Sequence, residues 1–226
     1  MNSADDRLLL DAAEVRVLGA LVEKAITTPD YYPLSLNALV NACNQSSNRD
    51  PVVSYGEPTV LRAVESLRDK KLAFVFAGAT SRVAKYGQKF AETLSLSPPE
   101  TAALTVLMLR GPQTVGEIRG RSGRLNEFAS LDEIETTLQS LAAGAPQPLV
   151  QRLPRQTGFK ESRYTHLLAG LSEIAPVETA TAAETPSPAG LPDDSRLARL
   201  ETDVEGLRQE LAGLKTEFAE FRKQLE

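Results

Sequence analysis

The chain has 226 residues, enough for one or two domains, and its 42% hydrophobic and 24% charged contents are ordinary for a soluble globular protein. A single cysteine excludes an intramolecular disulfide and a cysteine-based zinc site, so we expect a reducing, cytoplasmic setting. No apolar run reaches the ~18 residues of a membrane span, so we expect no membrane partner.

The net charge of −5 is unevenly distributed along the chain. Residues 171–226 have 6 basic and 12 acidic side chains, a net charge of −6, which leaves +1 for the remainder. A near-neutral remainder is not the strongly basic composition of a dedicated nucleic-acid binder.

The first predicted helix begins at a capping box formed by Asp11 and Glu14, followed by apolar residues at helical spacing. A second, short helix begins at Ser35, and a third covers about residues 58–71. Alternating apolar residues then predict a β-hairpin that contains Leu72, Phe74, Phe76 and residues 82–86.

The same order recurs after residue 97. Further capping boxes are predicted at Ser97 and Ser130, a helix start at Thr114, and a second hairpin within residues 149–167. Three helices followed by a β-hairpin form a winged helix, a variant of the helix-turn-helix. The sequence therefore predicts a mainly α, α+β fold with tandem winged-helix domains at residues 8–96 and 97–170. A single six-helix bundle is the alternative, but it does not explain the hairpins.

The C-terminal part divides into two segments of different composition. Residues 171–195 are rich in Ala, Thr, Glu, Pro and Ser and predict a flexible linker. Residues 196–226 form an unbroken heptad, which predicts a coiled-coil helix and a parallel homodimer; the alternative is a single helix that folds back on its own chain. The seam residues are Leu197, Leu200, Val204, Leu207, Leu211, Leu214, Phe218, Phe221 and Leu225.

Several motifs of the first half resemble one known family. Residues 14–24 (EVRVLGALVEK), 27–29 (TTP), 32–39 (YPLSLNAL), 42–45 (ACNQ) and 48–52 (NRDPV) are similar to the YceH family, a group of uncharacterised bacterial proteins. The resemblance covers roughly residues 8–170. It implies a tandem winged-helix fold, and it implies no activity.

A winged helix most often binds DNA through its third helix and its wing. Residues 45–90 have 8 basic and 4 acidic side chains, a net charge of +4 that suits phosphate contacts. The alternative is a solvated helix of mixed charge, since Glu65 and Asp69 are interleaved. The candidate DNA-binding residues are Thr59, Arg62, Ser66, Lys70, Arg82 and Lys85.

The third helix of the second half has the opposite charge. It contains Asp132, Glu133 and Glu135 without Lys or Arg, so phosphate would repel it. A protein contact is at least as good a prediction there as a DNA contact.

Asparagines repeat at helical spacing opposite the apolar face of the second helix. Because Asn is a poor helix former, the repeat indicates a demand for amide groups, either for a ligand or partner or for fixing the long loop 45–57. We favour the loop. The residues of this candidate surface are Asn37, Asn41, Asn44, Asn48 and Arg49.

No constellation of residues indicates an enzyme. His166 has no Cys or carboxylate cluster at ligand spacing, and Cys43 lies on an apolar helix face. We therefore expect no catalytic residues, cofactor or metal. The sequence favours a cytoplasmic, DNA-associated, regulator-like dimer that binds double-stranded DNA. The alternative is a protein–protein adaptor that uses winged helices without binding DNA.

Overall fold

The computed structural model describes residues 7–76, 83–144, 146–155 and 161–170, which lie in one compact unit, Met1–Val177. Within them, helices and short antiparallel strands form an α+β fold. The candidate residue Arg82, the linker 171–195 and the heptad 196–226 with its seam residues lie outside the described residues.

The first run of elements extends from residue 12 to residue 93. Its three strands form an antiparallel sheet in the order β1-β3-β2. The elements are α1 (Ala12–Thr27), β1 (Leu34–Ser35), α2 (Leu36–Cys43), α3 (Glu57–Asp69), β2 (Ala73–Phe76), β3 (Lys85–Gln88) and α4 (Phe90–Thr93).

The second run repeats three helices and a hairpin. Its strands pair antiparallel, with Val150 opposite His166, and Gln113 forms a further bridge to Tyr164. The elements are α5 (Pro98–Arg110), α6 (Val115–Ser122), α7 (Leu131–Ala143), β4 (Val150–Arg152) and β5 (Tyr164–His166). Both predicted hairpins are present, so the all-helical bundle is wrong.

The helix starts follow the predicted capping chemistry with one exception. The Asp11 side chain accepts from the Glu14 N–H at 2.8 Å, and Glu14 accepts from the Asp11 N–H at 2.7 Å. At Ser130 only one of the two hydrogen bonds of the predicted capping box is present. Ser130 caps the Glu133 N–H at 3.1 Å, but Glu133 accepts from the N–H of Ala129, one residue earlier, at 2.8 Å.

Helices α1 and α5 pack against each other at the centre of the unit, and Gly19 makes this contact possible. A Cβ at Gly19 would lie 2.9 Å from Leu109 Cδ2 and 3.3 Å from Met108 Cβ, so a side chain there would require the Leu109 side chain to shift. The two runs therefore share an interface, and whether residues 8–96 and 97–170 fold as separate domains stays a prediction. In the described ranges, no helix is long and apolar enough to cross a membrane.

Candidate nucleic-acid interface and the loop that braces it

The predicted DNA-contact residues fall into two groups by exposure. Arg62 on α3 and Lys85 on β3 are exposed, so both can reach a phosphate backbone. Thr59, Ser66 and Lys70 on α3 are half-buried. Arg62 is thus exposed, whereas Thr59, Ser66 and Lys70, which the sequence pattern had grouped with it, are half-buried.

Ser66 and Lys70 point towards Glu14, whose side chain is only 3% exposed. Lys70 Nζ lies 2.6 Å and 2.7 Å from the two carboxylate oxygens of Glu14. Burial alone raises the pKa of the Glu14 carboxyl, but hydrogen bonds from Lys70, Ser66 and the Asp11 N–H outweigh it and lower that pKa. The charge of Lys70 is therefore compensated inside the protein.

The exposed charges of α3 are mixed. Arg62 and Arg68 are exposed, but so are Glu57, Glu65 and Asp69, which leaves this face slightly acidic. The positive side chains of the first run therefore extend beyond α3. Exposed cations follow it at Lys71, lie on the hairpin at Lys85 and come just after β3 at Lys89.

Arg49 binds groups of this protein itself, on α1, on α2 and in loop 45–57. Its side chain is fully buried and forms a bidentate pair with Glu23, with Nη1–Oε1 and Nη2–Oε2 distances of 3.1 Å and 2.6 Å. Arg49 also donates to the carbonyl of Ala42 at 2.8 Å and to Gln45 Oε1 at 2.9 Å. This residue anchors the loop from within and is not available to a partner.

The asparagine repeat serves two different roles. Asn44 brackets the loop by accepting from the Tyr55 N–H and donating to the Tyr55 carbonyl, both at 2.8 Å. Asn37 and Asn41 are exposed, and Asn41 Nδ2 approaches Asn37 Oδ1 at 3.5 Å. Loop bracing, the reading favoured from the sequence, thus describes Asn44, whereas Asn37 and Asn41 remain a surface feature.

The same loop joins the first run to the second. The Asp50 N–H donates to the carbonyl of Leu109 at 2.9 Å, and Arg110 donates to the side-chain oxygen of Asn48. Because Leu109 and Arg110 lie at the end of α5, loop 45–57 helps to fix the α1–α5 interface.

Arg16, the second buried arginine of this region, was not among the residues predicted from the sequence. It donates to the Pro51 carbonyl at 2.6 Å and lies near Arg49. Burial and then the positive charge of Arg49 lower the pKa of its guanidinium. Its position between Val15 and Val17 within the apolar first helix was the available signal, because a charged residue there needs an internal partner.

The second run has exposed charges of both signs. Asp132 and Glu135 on α7 are exposed. On α6, Arg121 pairs with Glu117 at 3.4 Å, and Arg119 donates to the Ala129 carbonyl at 3.2 Å. Helix α7 is therefore acidic at its surface, as the sequence indicated.

Two potentially reactive side chains are buried away from solvent. Burial raises the pKa of the Cys43 thiol to about 12, which keeps it protonated and unreactive at neutral pH. Burial lowers the pKa of His166 to about 4, so its imidazole is neutral. The part of the chain that is described contains no group of three or more His, Cys, Asp or Glu side chains able to hold a metal ion.

Comparison with known proteins identifies the family of this chain. Residues 10–159 match the family described as "Protein of unknown function, DUF480". A UPF0502 protein of Opitutus terrae is 60% identical over 200 residues, which are 88% of this chain and 84% of that protein. One from Solibacter usitatus is 52% identical over 96% of this chain and 98% of its own length, and one from Vibrio vulnificus is 47% identical over 93% and 97%. The chain therefore belongs to the DUF480/UPF0502 family of bacterial proteins, the same family as YceH.

Proposed function

We propose that the protein is a non-enzymatic, DNA-associated regulator with two winged helices. Each run has three helices followed by an antiparallel hairpin, the element order of a winged helix. The observation that carries the proposal is the set of exposed cations on α3 and its hairpin, namely Arg62, Arg68, Lys85 and Lys89.

The DNA contact would differ from one made by α3 alone. Because Lys70 is paired with Glu14, and Glu65 and Asp69 are exposed beside Arg62, α3 offers no net positive charge. The hairpin supplies Lys85 and Lys89, so contacts with the phosphate backbone carry most of the affinity. Such binding is sensitive to salt and weakly dependent on sequence.

Fluorescence anisotropy with a labelled 30-base-pair duplex tests this proposal. We expect the full-length protein to bind at low salt and the affinity to fall as salt rises. The double variant R62E/K85E removes binding. A matched control, R7E/R124E, makes the same charge change at two other exposed arginines and retains it. No binding to duplex at low salt, or equal loss in both variants, contradicts the proposal.

A protein adaptor is the second candidate, and α7 favours it. Its exposed Asp132 and Glu135 repel phosphate, and Leu131 beside them is 45% exposed. An acidic and apolar helix face suits a basic partner protein. The variant D132K/E135K leaves Glu133 and its cap in place; if cross-linked partners of the full-length protein are unchanged in this variant, the adaptor role of α7 is wrong.

A further inference from the structure

The first sheet has an aromatic outer face. In β2, Phe74 and Phe76 lie on one side and Val75 on the other, because side chains alternate along a strand. Val75 packs against the hydrophobic core, as do Tyr86 and Leu34, its neighbours across the sheet. Phe74 and Phe76 therefore point away from the core, and Phe76 is 54% exposed.

Gly87 allows the Phe74 ring to cross the neighbouring strand. Phe74 is paired with Gly87, and a Cβ at that position would lie 2.3 Å from Phe74 Cζ and 2.5 Å from Cε1. The ring thus occupies the space that a side chain at position 87 would fill. A glycine inside a strand is typical of such a close approach.

The row of residues that contains Phe76 is polar and positive. Lys85 lies opposite Phe76 on β3, and Ser35 lies opposite Lys85 on β1. Lys85 and, just beyond β3, Lys89 are both exposed. Strands β1, β2 and β3 contain no Asp or Glu. A phosphate chain that crosses this face would meet cations and no strand carboxylate.

We propose that this face, defined by Phe74, Phe76 and Lys85, with Lys89 just beyond β3, binds single-stranded nucleic acid. An exposed ring can stack on any unpaired base, because every base has a π-face, while the lysines contact the phosphates. A protein partner is less well matched, since the residues across the sheet from Phe76, namely Lys85 and Ser35, are polar. The inference goes beyond duplex binding by α3 and its hairpin, because a duplex keeps its base faces stacked.

The absence of tryptophan from the chain provides a direct probe. The full-length variant Phe76→Trp has one tryptophan, whose fluorescence is quenched when a base stacks on it. We expect quenching by a 20-mer of deoxythymidine, by a 20-mer of uridine, or by both; the comparison distinguishes DNA from RNA. A matched control, Leu131→Trp, places a tryptophan at an exposed position on α7 and is not quenched.

Substitution of the ring tests its contribution to affinity. Phe76→Leu keeps an apolar side chain without a ring, and we expect roughly 5- to 100-fold weaker binding of the quenching oligonucleotide by anisotropy. Lys85→Gln lowers the dependence of log affinity on log salt by about 0.7. Circular dichroism melting checks that both variants fold.

The inference is overturned if neither oligonucleotide quenches Phe76→Trp at low salt, or if Phe76→Leu binds with unchanged affinity. The duplex experiment remains separate because Phe76, which the stacking tests vary, is not part of the proposed duplex contact, whereas Lys85 is shared by both. Quenching by single strands without duplex binding supports this inference and contradicts the proposed function. Duplex binding without quenching by single strands supports the proposed function and contradicts this inference.

Discussion

The guanidinium of Arg49 and the carboxylate of Glu23 form a bidentate pair in which the Arg49 side chain is 0% exposed and that of Glu23 is 13% exposed. Burial alone raises the pKa of Glu23, but the hydrogen bond and positive charge of Arg49 outweigh it and hold that pKa below its ordinary value. The Glu23 carboxyl is therefore ionised at neutral pH. The pair joins α1 to loop 45–57, and through Asp50 and Asn48 that loop contacts the end of α5.

Arg49→Met removes one partner of this pair. We expect the free energy of unfolding at pH 7 to fall by about 3 kcal/mol, because the charged and partly buried Glu23 keeps only its longer contact with Lys24, whose Nζ lies 3.3 Å from Glu23 Oε2. Urea denaturation followed by circular dichroism measures the change. The matched control Arg62→Met, at an exposed position, changes stability by no more than about 0.5 kcal/mol. Similar small effects for both variants would show that the buried pair contributes little.

Lys70 and Arg62 lie two turns apart on α3 but have different roles. Lys70→Met deprives buried Glu14 of its cation and lowers the free energy of unfolding at pH 7 by about 1–3 kcal/mol, while the affinity for duplex DNA is unchanged. Arg62→Met leaves stability unchanged and weakens duplex binding. Urea denaturation and anisotropy on the same two proteins distinguish these effects.

The pH dependence of the Lys70→Met variant gives an independent check. The folded-state pKa of Glu14 is lowered, so its contribution to stability is present above the unfolded-state pKa and is lost as the pH falls through the folded-state value. Removing Lys70 raises the folded-state pKa and reduces this loss. An unchanged acid dependence in the variant would argue against the Lys70–Glu14 contact.

His166 is the single histidine of the chain, which makes its titration easy to follow by NMR. We expect a folded-state pKa of about 4, because burial disfavours the imidazolium. Since the unfolded chain binds the proton more readily, the stability contributed by neutral His166 is present above about pH 6.5 and is lost as the pH falls towards 4. The total loss is roughly 3 kcal/mol.

His166→Leu isolates this contribution. Stability measured by urea denaturation between pH 6.5 and 4 should fall less in the variant than in the wild-type protein, whatever the effect of the substitution at pH 7. A histidine resonance that titrates near pH 6.5 in the folded protein would contradict the burial of His166.

Gly87 was not singled out in the sequence, and its role follows from the position of Phe74. We expect Gly87→Ala to lower the free energy of unfolding by about 1–3 kcal/mol, because the new Cβ requires the ring to move. The double variant Phe74→Leu/Gly87→Ala should recover part of that loss. Thermal melts of the two single variants and the double variant measure the coupling. Additive effects would mean that the ring does not lie over Gly87.

Local sequence signals predicted the helices and strands well. They did not predict which groups the long polar side chains contact. The box at Asp11 and Glu14 and the alternation of Phe74 and Phe76 depend on neighbouring residues, and both are present in the structure. Lys70 was grouped with Arg62 because both lie on α3, yet its destination depends on Glu14, which is 56 residues away in the chain. The burial of Arg49 likewise depends on the packing of the loop against α1.

The heptad in residues 196–226 predicts a dimer. These residues lie outside the described part of the chain, so the dimer stays a prediction. With Leu197 at position a, the charges that flank the seam of a parallel pair attract: Arg196–Glu201, Asp203–Arg208, Glu210–Lys215 and Glu217–Arg222. Each exposed pair contributes only about 0.3–0.5 kcal/mol, so burial of the seam provides the main stabilisation.

The full-length variant L207E/L211E places charges in that seam, and we expect sedimentation to show a monomer where the wild-type protein is a dimer. The matched control T202E/Q209E adds the same charge on the opposite face of the helix and should remain dimeric. Because neither variant alters residues 7–170, a change in mass reports the heptad alone. A wild-type monomer would instead favour a helix that folds back on its own chain, and a dimer in both variants would place the interface elsewhere.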